Sequence, residues 1–138
     1  MYKRILVTLE GTPTDRAIID HVKALATLMQ SQVILLHVAA GAAAKFHGPQ
    51  AAGEEVEQGR TFLTDVQREL TAAGIRAETH LAYGDPAKEI VAWVQQNECD
   101  LVAMSTHGHQ FMADLVLGTT AIRVQHNVSV PVLLLRAK

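Results

Sequence analysis

The segment richest in possible chemistry is Ser105-Thr106-His107-Gly108, followed by nine residues, 109–117, and then Gly118-Thr119-Thr120. Gly108 comes just after an apolar run of strand character. A residue without a side chain there lets backbone N–H groups approach a phosphate closely. Gly118 is read as preceding a helix, whose first turn carries free N–H donors and a partial positive charge. Thr119 and Thr120 add hydroxyls at the same spot. The spacing points to a two-point phosphate cradle, with one glycine loop and one helix N-terminus. It is not a Walker P-loop, because no Gly-Lys-Ser/Thr follows. A plainer use stays open for the same residues, with Gly108 making only a turn and Thr119 only capping its helix.

Other reactive side chains are sparse. Of the seven histidines, His107 and His109 flank Gly108. A stable metal site needs three or four ligands, and no Cys or carboxylate cluster at ligand spacing joins this pair. One imidazole bonding a phosphate, or facing solvent, is the simpler expectation, and no metal is expected. His37 lies deep in an apolar run and is read as a core histidine satisfied by a neighbouring backbone group. Cys99 has no basic neighbour in sequence to activate it as a nucleophile. Neither a Gly-x-Ser-x-Gly elbow nor a Cys/His pair with recognisable context is present. Glu10 and Asp114 are the carboxylates near the proposed loops, and Asp114 is expected to face water.

The elements that must hold these residues alternate in type. Ile5-Leu6-Val7-Thr8-Leu9 is an apolar run without clean alternation, as expected of a strand covered on both faces. Glu10-Gly11-Thr12-Pro13 breaks it, with Thr12 suited to cap a helix, Pro13 to its first position and Asp15 to its first turn. Ile18, Ile19, Val22, Leu25, Ala26 and Met29 then recur at helical spacing. Val33-Ile34-Leu35-Leu36-His37-Val38 is a second strand. Residues 39–53, rich in Ala and Gly, read as a loop or the fraying start of the next helix, which recovers its period at Val56, Leu63, Val66 and Leu70 and stops at Gly74. Residues 75–81 alternate as an edge-like strand, Gly84-Asp85-Pro86 opens a short helix, and Leu101-Val102-Ala103-Met104 is a fourth strand. A helix over 119–126 and a final strand, Val130-Pro131-Val132-Leu133-Leu134-Leu135, complete a βαβαβαβαβ order. This order implies an α/β fold, a five-stranded, mostly parallel sheet with helices on both faces. Such sheets bind ligands beyond the C-terminal strand ends where the strand order reverses, which selects the loops after Leu9, Val38 and Met104.

Size and charge narrow the options. The 138 residues fit one domain, 1–138, with one hydrophobic core. Lys and Arg number 12 against 14 Asp and Glu, so there is no excess positive charge for a nucleic-acid backbone. With 3 Phe, 1 Trp and 2 Tyr, a base-stacking platform is not expected either. A single cysteine suits a reducing compartment. The longest apolar stretch, 33–44, is broken by His37 and Gly41 and is too short for a membrane span. A soluble, cytoplasmic protein is the expectation.

Taken along the chain, this layout resembles the universal stress protein (UspA-like) family, as a small single-domain member. Lys3-Arg4-Ile5-Leu6-Val7 with Glu10-Gly11-Thr12 resembles the family's first strand and loop, and Leu35-Leu36-His37-Val38 its second strand. Gly84-Asp85-Pro86-Ala87-Lys88-Glu89-Ile90 resembles its third-helix entry, Cys99-Asp100-Leu101-Val102-Ala103-Met104 its fourth strand, and residues 130–135 its last. The family's nucleotide-binding members carry Gly, two residues, Gly, nine residues, Gly, then Ser or Thr. Gly108, Gly118 and Thr119 match the last three of these positions, and Ser105 stands where the first is Gly. In the first loop, Thr8-Leu9-Glu10 replaces Pro-Val-Asp, keeping the carboxylate one methylene longer.

The resemblance implies a Rossmann-like fold of the adenine nucleotide alpha hydrolase-like kind. It also implies a site for ATP or another adenine nucleotide, with Mg²⁺ a candidate companion. The implied site runs through Thr8, Leu9 and Glu10, the backbone at Val38 facing adenine, Met104 near it, and Ser105, Gly108, His109, Gly118, Thr119 and Thr120. Any ATP hydrolysis would be slow. The apolar final strand, restricted by Pro131 to an edge-compatible position, invites pairing with a second copy. Family members similarly dimerise through their last strands, so a homodimer through 130–135 acting on further protein partners is expected. An ordinary buried strand is the alternative. A dimeric stress adaptor of the same fold that binds no nucleotide also stays open, motivated by Ser105 and Glu10.

Overall fold

Five parallel strands form one sheet in the order β3-β2-β1-β4-β5. In the computed structural model, which describes residues 1–39, 49–106 and 113–137 (backbone alone at 49–52 and 113–119), the strands are β1 (Arg4–Leu9), β2 (Gln32–Ala39), β3 (Ala77–Tyr83), β4 (Leu101–Thr106) and β5 (Val132–Arg136). The connecting helices are α1 (Arg16–Met29), α2 (Pro49–Ala72), α3 (Pro86–Gln96) and α4 (Ala113–Asn127). The sheet fits the expected α/β class, and β3 is an edge strand, as its alternation suggested.

Two apolar layers explain why the central strands carry no polar face. Ile5, Val7, Leu35 and Ala103 point to one side, onto Ile18, Val22, Leu63 and Leu70 of α1 and α2. Leu6, Ile34, Leu36, Val102 and Met104 point to the other, onto Ala87, Ile90, Ala121 and Val124 of α3 and α4. Each large aliphatic side chain so buried contributes roughly 1.5–3 kcal/mol.

The boundaries differ from expectation in several places, the last strand among them: β5 begins at Val132 rather than Val130, which leaves Pro131 just before the strand instead of within it. Thr12, Pro13 and Asp15 take the expected cap, first-position and first-turn places, but in a single 3-10 turn, Pro13–Asp15, that precedes α1, and Asp15 is buried there. Helix α2 begins at Pro49, within the stretch read as loop or helix start, and residues 40–48 lie outside the described residues. Strand β3 begins two residues later than read. Gly74 ends α2 at φ +86°, and the Ile75 N–H then bonds the Leu70 carbonyl at 3.0 Å, so buried Ile75 completes the helix cap. Helix α4 starts at Ala113, not near 119, because Ala113, Leu115 and Leu117 are strong helix formers and Asp114 suits a first turn.

Candidate functional site

The two central strands part company halfway along. β1 and β4 pair only at Ile5↔Leu101, Leu6↔Val102 and Val7↔Ala103. β1 nevertheless stays with β2 as far as Leu9↔His37, and β4 stays with β5 as far as Thr106↔Arg136. Beyond Val7 and Ala103 the sheet therefore splits at its switch point, where connections leave in opposite directions. A cleft of about 200 Å³ opens there. Thr8, Leu9 and Glu10 line it from β1, and Met104, Ser105 and Thr106 from β4. Leu36 and Val38 of β2, Pro86 and Ile90 of α3, and Thr120 and Ala121 of α4 complete it.

This lining has two characters. Leu36, Ile90 and Met104 are buried aliphatic or thioether groups, suited to a flat apolar ring. Thr8, Ser105, Thr106 and Thr120 bring hydroxyls, and Glu10 a carboxylate. The Ser105 Oγ is buried and has no hydrogen-bond partner.

The end of β1 is held from beneath. The Asp15 carboxylate, 1% exposed, accepts the Glu10 N–H at 3.0 Å from each oxygen, the Gly11 N–H at 2.8 Å and the Thr12 N–H at 3.3 Å. Gly11, at φ +82°, supplies the backbone turn that lets these N–H groups converge. Burial pushes the Asp15 carboxyl above its ordinary range, and the three N–H bonds oppose that. One residue earlier, the His37 Nδ1–H donates to the Leu9 carbonyl at 2.9 Å, as expected of a core histidine. The Thr14 hydroxyl donates to Glu10 Oε2 at 3.4 Å.

An ion pair ties together the helices beside the cleft. Asp85 caps α3 by accepting the Lys88 N–H at 3.0 Å, with Pro86 in the first helical position. Its carboxylate also accepts both Arg123 nitrogens, at 3.2 and 2.8 Å, from α4. Arg123 holds the Asp85 carboxyl below its ordinary range, helped by the Lys88 N–H. Pro86 and Thr120, which line the cleft, stand one and three residues from this pair.

Of the residues singled out from sequence, Thr8, Leu9, Glu10, Val38, Met104, Ser105 and Thr120 meet in one cleft. His107, Gly108 and His109 lie outside the described residues. Gly118 and Thr119 fall inside α4 rather than before it, so the helix N-terminus expected at Gly118 is at Ala113 instead. A residue five positions into a helix has its N–H committed to the preceding turn, which removes the reason for placing an anion there. Thr106, part of the segment singled out from sequence, also lines the cleft, while sequence reading missed Leu36, Pro86, Ile90 and Ala121. The Asp-Pro helix start was a usable signal for Pro86, since it places that turn at the same sheet end. Among the described residues, no three His, Cys, Asp or Glu side chains cluster to hold a metal ion. Cys99 is half-buried, and burial pushes its thiol up, away from nucleophilic use.

A parallel sheet in this order, split between β1 and β4 over a mixed apolar and hydroxyl cleft, defines a doubly wound α/β protein of Rossmann-like type. Residues 1–136 match the model of the Universal stress protein family, and the chain belongs to that family. It is 27% identical over 157 residues to Universal stress protein MJ0577 of Methanocaldococcus jannaschii, a match covering 100% of this chain and 97% of that protein. Against Universal stress protein YxiE of Bacillus subtilis it is 24% identical, over 99% of this chain and 100% of the relative. The solved MJ0577 structure superposes with a TM-score of 0.88 at 28% identity, covering 100% and 98% of the two chains. A universal stress protein solved in complex with cAMP shares the fold at a TM-score of 0.74 and 17% identity, over 99% and 98% of the chains. Another, from Archaeoglobus fulgidus in complex with dAMP, does so at 0.70 and 17%, over 96% and 97%. Among the described residues, no helix is long and apolar enough to cross a membrane.

Proposed function

We propose that the cleft between β1 and β4 binds an adenine nucleotide, ATP or a close relative, and that the protein is a stress-response regulator working as a homodimer. The observation that carries this reading is the split of the two central strands. It puts an apolar slot from Leu36, Val38, Ile90 and Met104 beside the hydroxyls of Thr8, Ser105, Thr106 and Thr120. An adenine ring suits the first and a ribose–phosphate suits the second. The cAMP and dAMP complexes of proteins with this fold support it. Mg²⁺ would accompany the phosphates, since the cleft's described side chains supply hydroxyls and a carboxylate rather than cations. Dimerisation would run through β5, an edge strand with Leu134 38% exposed.

A thermal-shift titration with ATP and Mg²⁺ tests the binding. Selective binding to the folded state adds about 2.7 kcal/mol of stability at a ligand concentration a hundredfold above Kd. No shift at millimolar nucleotide, with no nucleotide released from freshly purified protein, overturns the reading.

That same balance of a carboxylate and no described cation in the lining favours a second reading, a dimeric adaptor that binds no nucleotide. Under it, Ser105→Gly with Glu10→Asp would create a nucleotide affinity that the parent chain lacks.

A further inference from the structure

The loop after β1 has a free-standing chemistry of its own. Three successive N–H groups, from Glu10, Gly11 and Thr12, converge as such groups do around a bound anion, with Gly11 at φ +82°. The anion they hold is already part of the chain. It is the Asp15 carboxylate, 1% exposed and anchored in turn by its own N–H on the Thr12 carbonyl at 3.0 Å. On the other side of the same loop, the Leu9 carbonyl is taken by His37. The Leu9 carbonyl and the N–H groups of Glu10, Gly11 and Thr12 are thus engaged within the chain. What this loop brings to the cleft is therefore the Glu10 side chain, whose Oε2 also accepts the Thr14 hydroxyl, and not a backbone anion cradle.

We propose that Asp15 is a positioning residue for ligand binding: by filling the N–H nest of residues 10–12, it closes this loop to phosphate and fixes Glu10 as an acceptor for the donor groups of the ligand. This rests on the nucleotide reading of the cleft. The ligand portion beside Glu10 is a hydrogen-bond donor, a sugar hydroxyl or an amino group, and its phosphates lie elsewhere in the cleft. An Asn at position 15 keeps the size of the side chain but replaces one accepting oxygen by an amino group facing N–H groups, which loosens the loop without emptying the space.

The test is a double-mutant cycle read by calorimetric titration with AMP, using the full chain as wild type, Asp15→Asn, Glu10→Ala and the double variant. The expected result is an affinity about tenfold lower for Asp15→Asn, and a further loss of less than about twofold when Glu10 is already Ala. An equal loss in both backgrounds, or none in either, overturns the proposal. Amide hydrogen exchange on the ligand-free protein gives a reading independent of nucleotide. The Glu10, Gly11 and Thr12 amides should be protected in the wild type and exchange faster in Asp15→Asn, while unprotected wild-type amides overturn the proposal. If wild type binds no AMP or ATP while those amides are protected, the nucleotide reading is what fails, and the positioning role for binding falls with it.

Discussion

Gly59 of α2 stands directly over the ring of His37: a Cβ added at Gly59 would lie 2.7 Å from His37 Cδ2 and 3.3 Å from Leu81 Cδ1. The ring cannot easily move aside, because its Nδ1–H is committed to the Leu9 carbonyl and it is 9% exposed. The glycine is thus a packing requirement that helix propensity alone would oppose. Gly53 in the same helix meets nothing within 4 Å of an added Cβ. Gly59→Ala is expected to cost about 1–3 kcal/mol by overpacking, whereas Gly53→Ala should add about 0.5–1 kcal/mol. Urea unfolding of both variants checks the pair, and equal effects of one sign would contradict this packing.

Ser105 carries the one buried side-chain polar atom without a hydrogen bond among the described residues. A hydroxyl removed from water and left unbonded costs free energy, whereas a methyl in its place costs none. Ser105→Ala should therefore raise the stability of the ligand-free protein by about 1 kcal/mol, read as an increase in the urea midpoint at constant m. A loss of similar size would show that the hydroxyl is bonded in solution.

What could be read from the sequence follows from which interactions are local. Strands such as Ile5-Leu6-Val7 declare themselves because a parallel strand covered on both faces has no polar positions. Their ends in turn place Thr8, Glu10, Met104 and Ser105 at the cleft. The start of α4 was misjudged because Gly118 looks like punctuation, while Ala113 to Leu117 already favour a helix. Ile90 and Ala121 were missed because a period-3.6 stripe says that a residue is inward, not which end of the sheet it reaches. The first-turn place of Asp15 was legible, but its carboxylate folding back onto three amides has no signature beyond its spacing. The Asp85–Arg123 pair joins residues 38 apart, and no local pattern announces it.

Two carboxylates should respond to acid in opposite senses. Glu69 on α2 accepts Arg16 Nη2 at 2.6 Å and Lys23 Nζ at 3.4 Å, and the Arg16 bond holds its carboxyl below the ordinary 4.5. Its folded pKa is the lower one, so its contribution is fully present above about pH 4.5 and is lost as pH falls through the folded value. Asp15 is the reverse. Burial raises its carboxyl above the ordinary 3.8, so its ionisation costs stability as pH rises from 3.8 through the folded value, and acid relieves that cost. Glu69→Gln should lower stability at pH 7 by about 0.5 kcal/mol, reduced by solvent screening, and flatten the loss below pH 4.5. Asp15→Asn should steepen the net acid loss by removing the opposing group. Denaturant midpoints measured from pH 3 to 7 check both, and an unchanged pH profile in Glu69→Gln would remove the pair from the account.

The proposed dimer makes the last claim on the outer edge of the sheet. β5 bonds β4 from Val102↔Val132 to Thr106↔Arg136, which leaves its other side of main-chain N–H and C=O groups facing outward. An apolar edge of that kind either pairs or carries a charge that prevents pairing. Here Leu134 is 38% exposed at the centre of the strand, and Ile122 of α4 is 50% exposed. A twofold pairing of β5 with its copy would extend the sheet and bury both Leu134 side chains, each meeting the same surface on the other subunit. Leu134→Asp would set two carboxylates into that seam, unpaired and partly desolvated, while costing the isolated chain little because the position is already half-open. Sedimentation equilibrium should give a dimer for the wild type and at least about a hundredfold weaker association for Leu134→Asp, with an unchanged helical signal. A wild type that sediments as a monomer at micromolar concentration would leave β5 an ordinary edge.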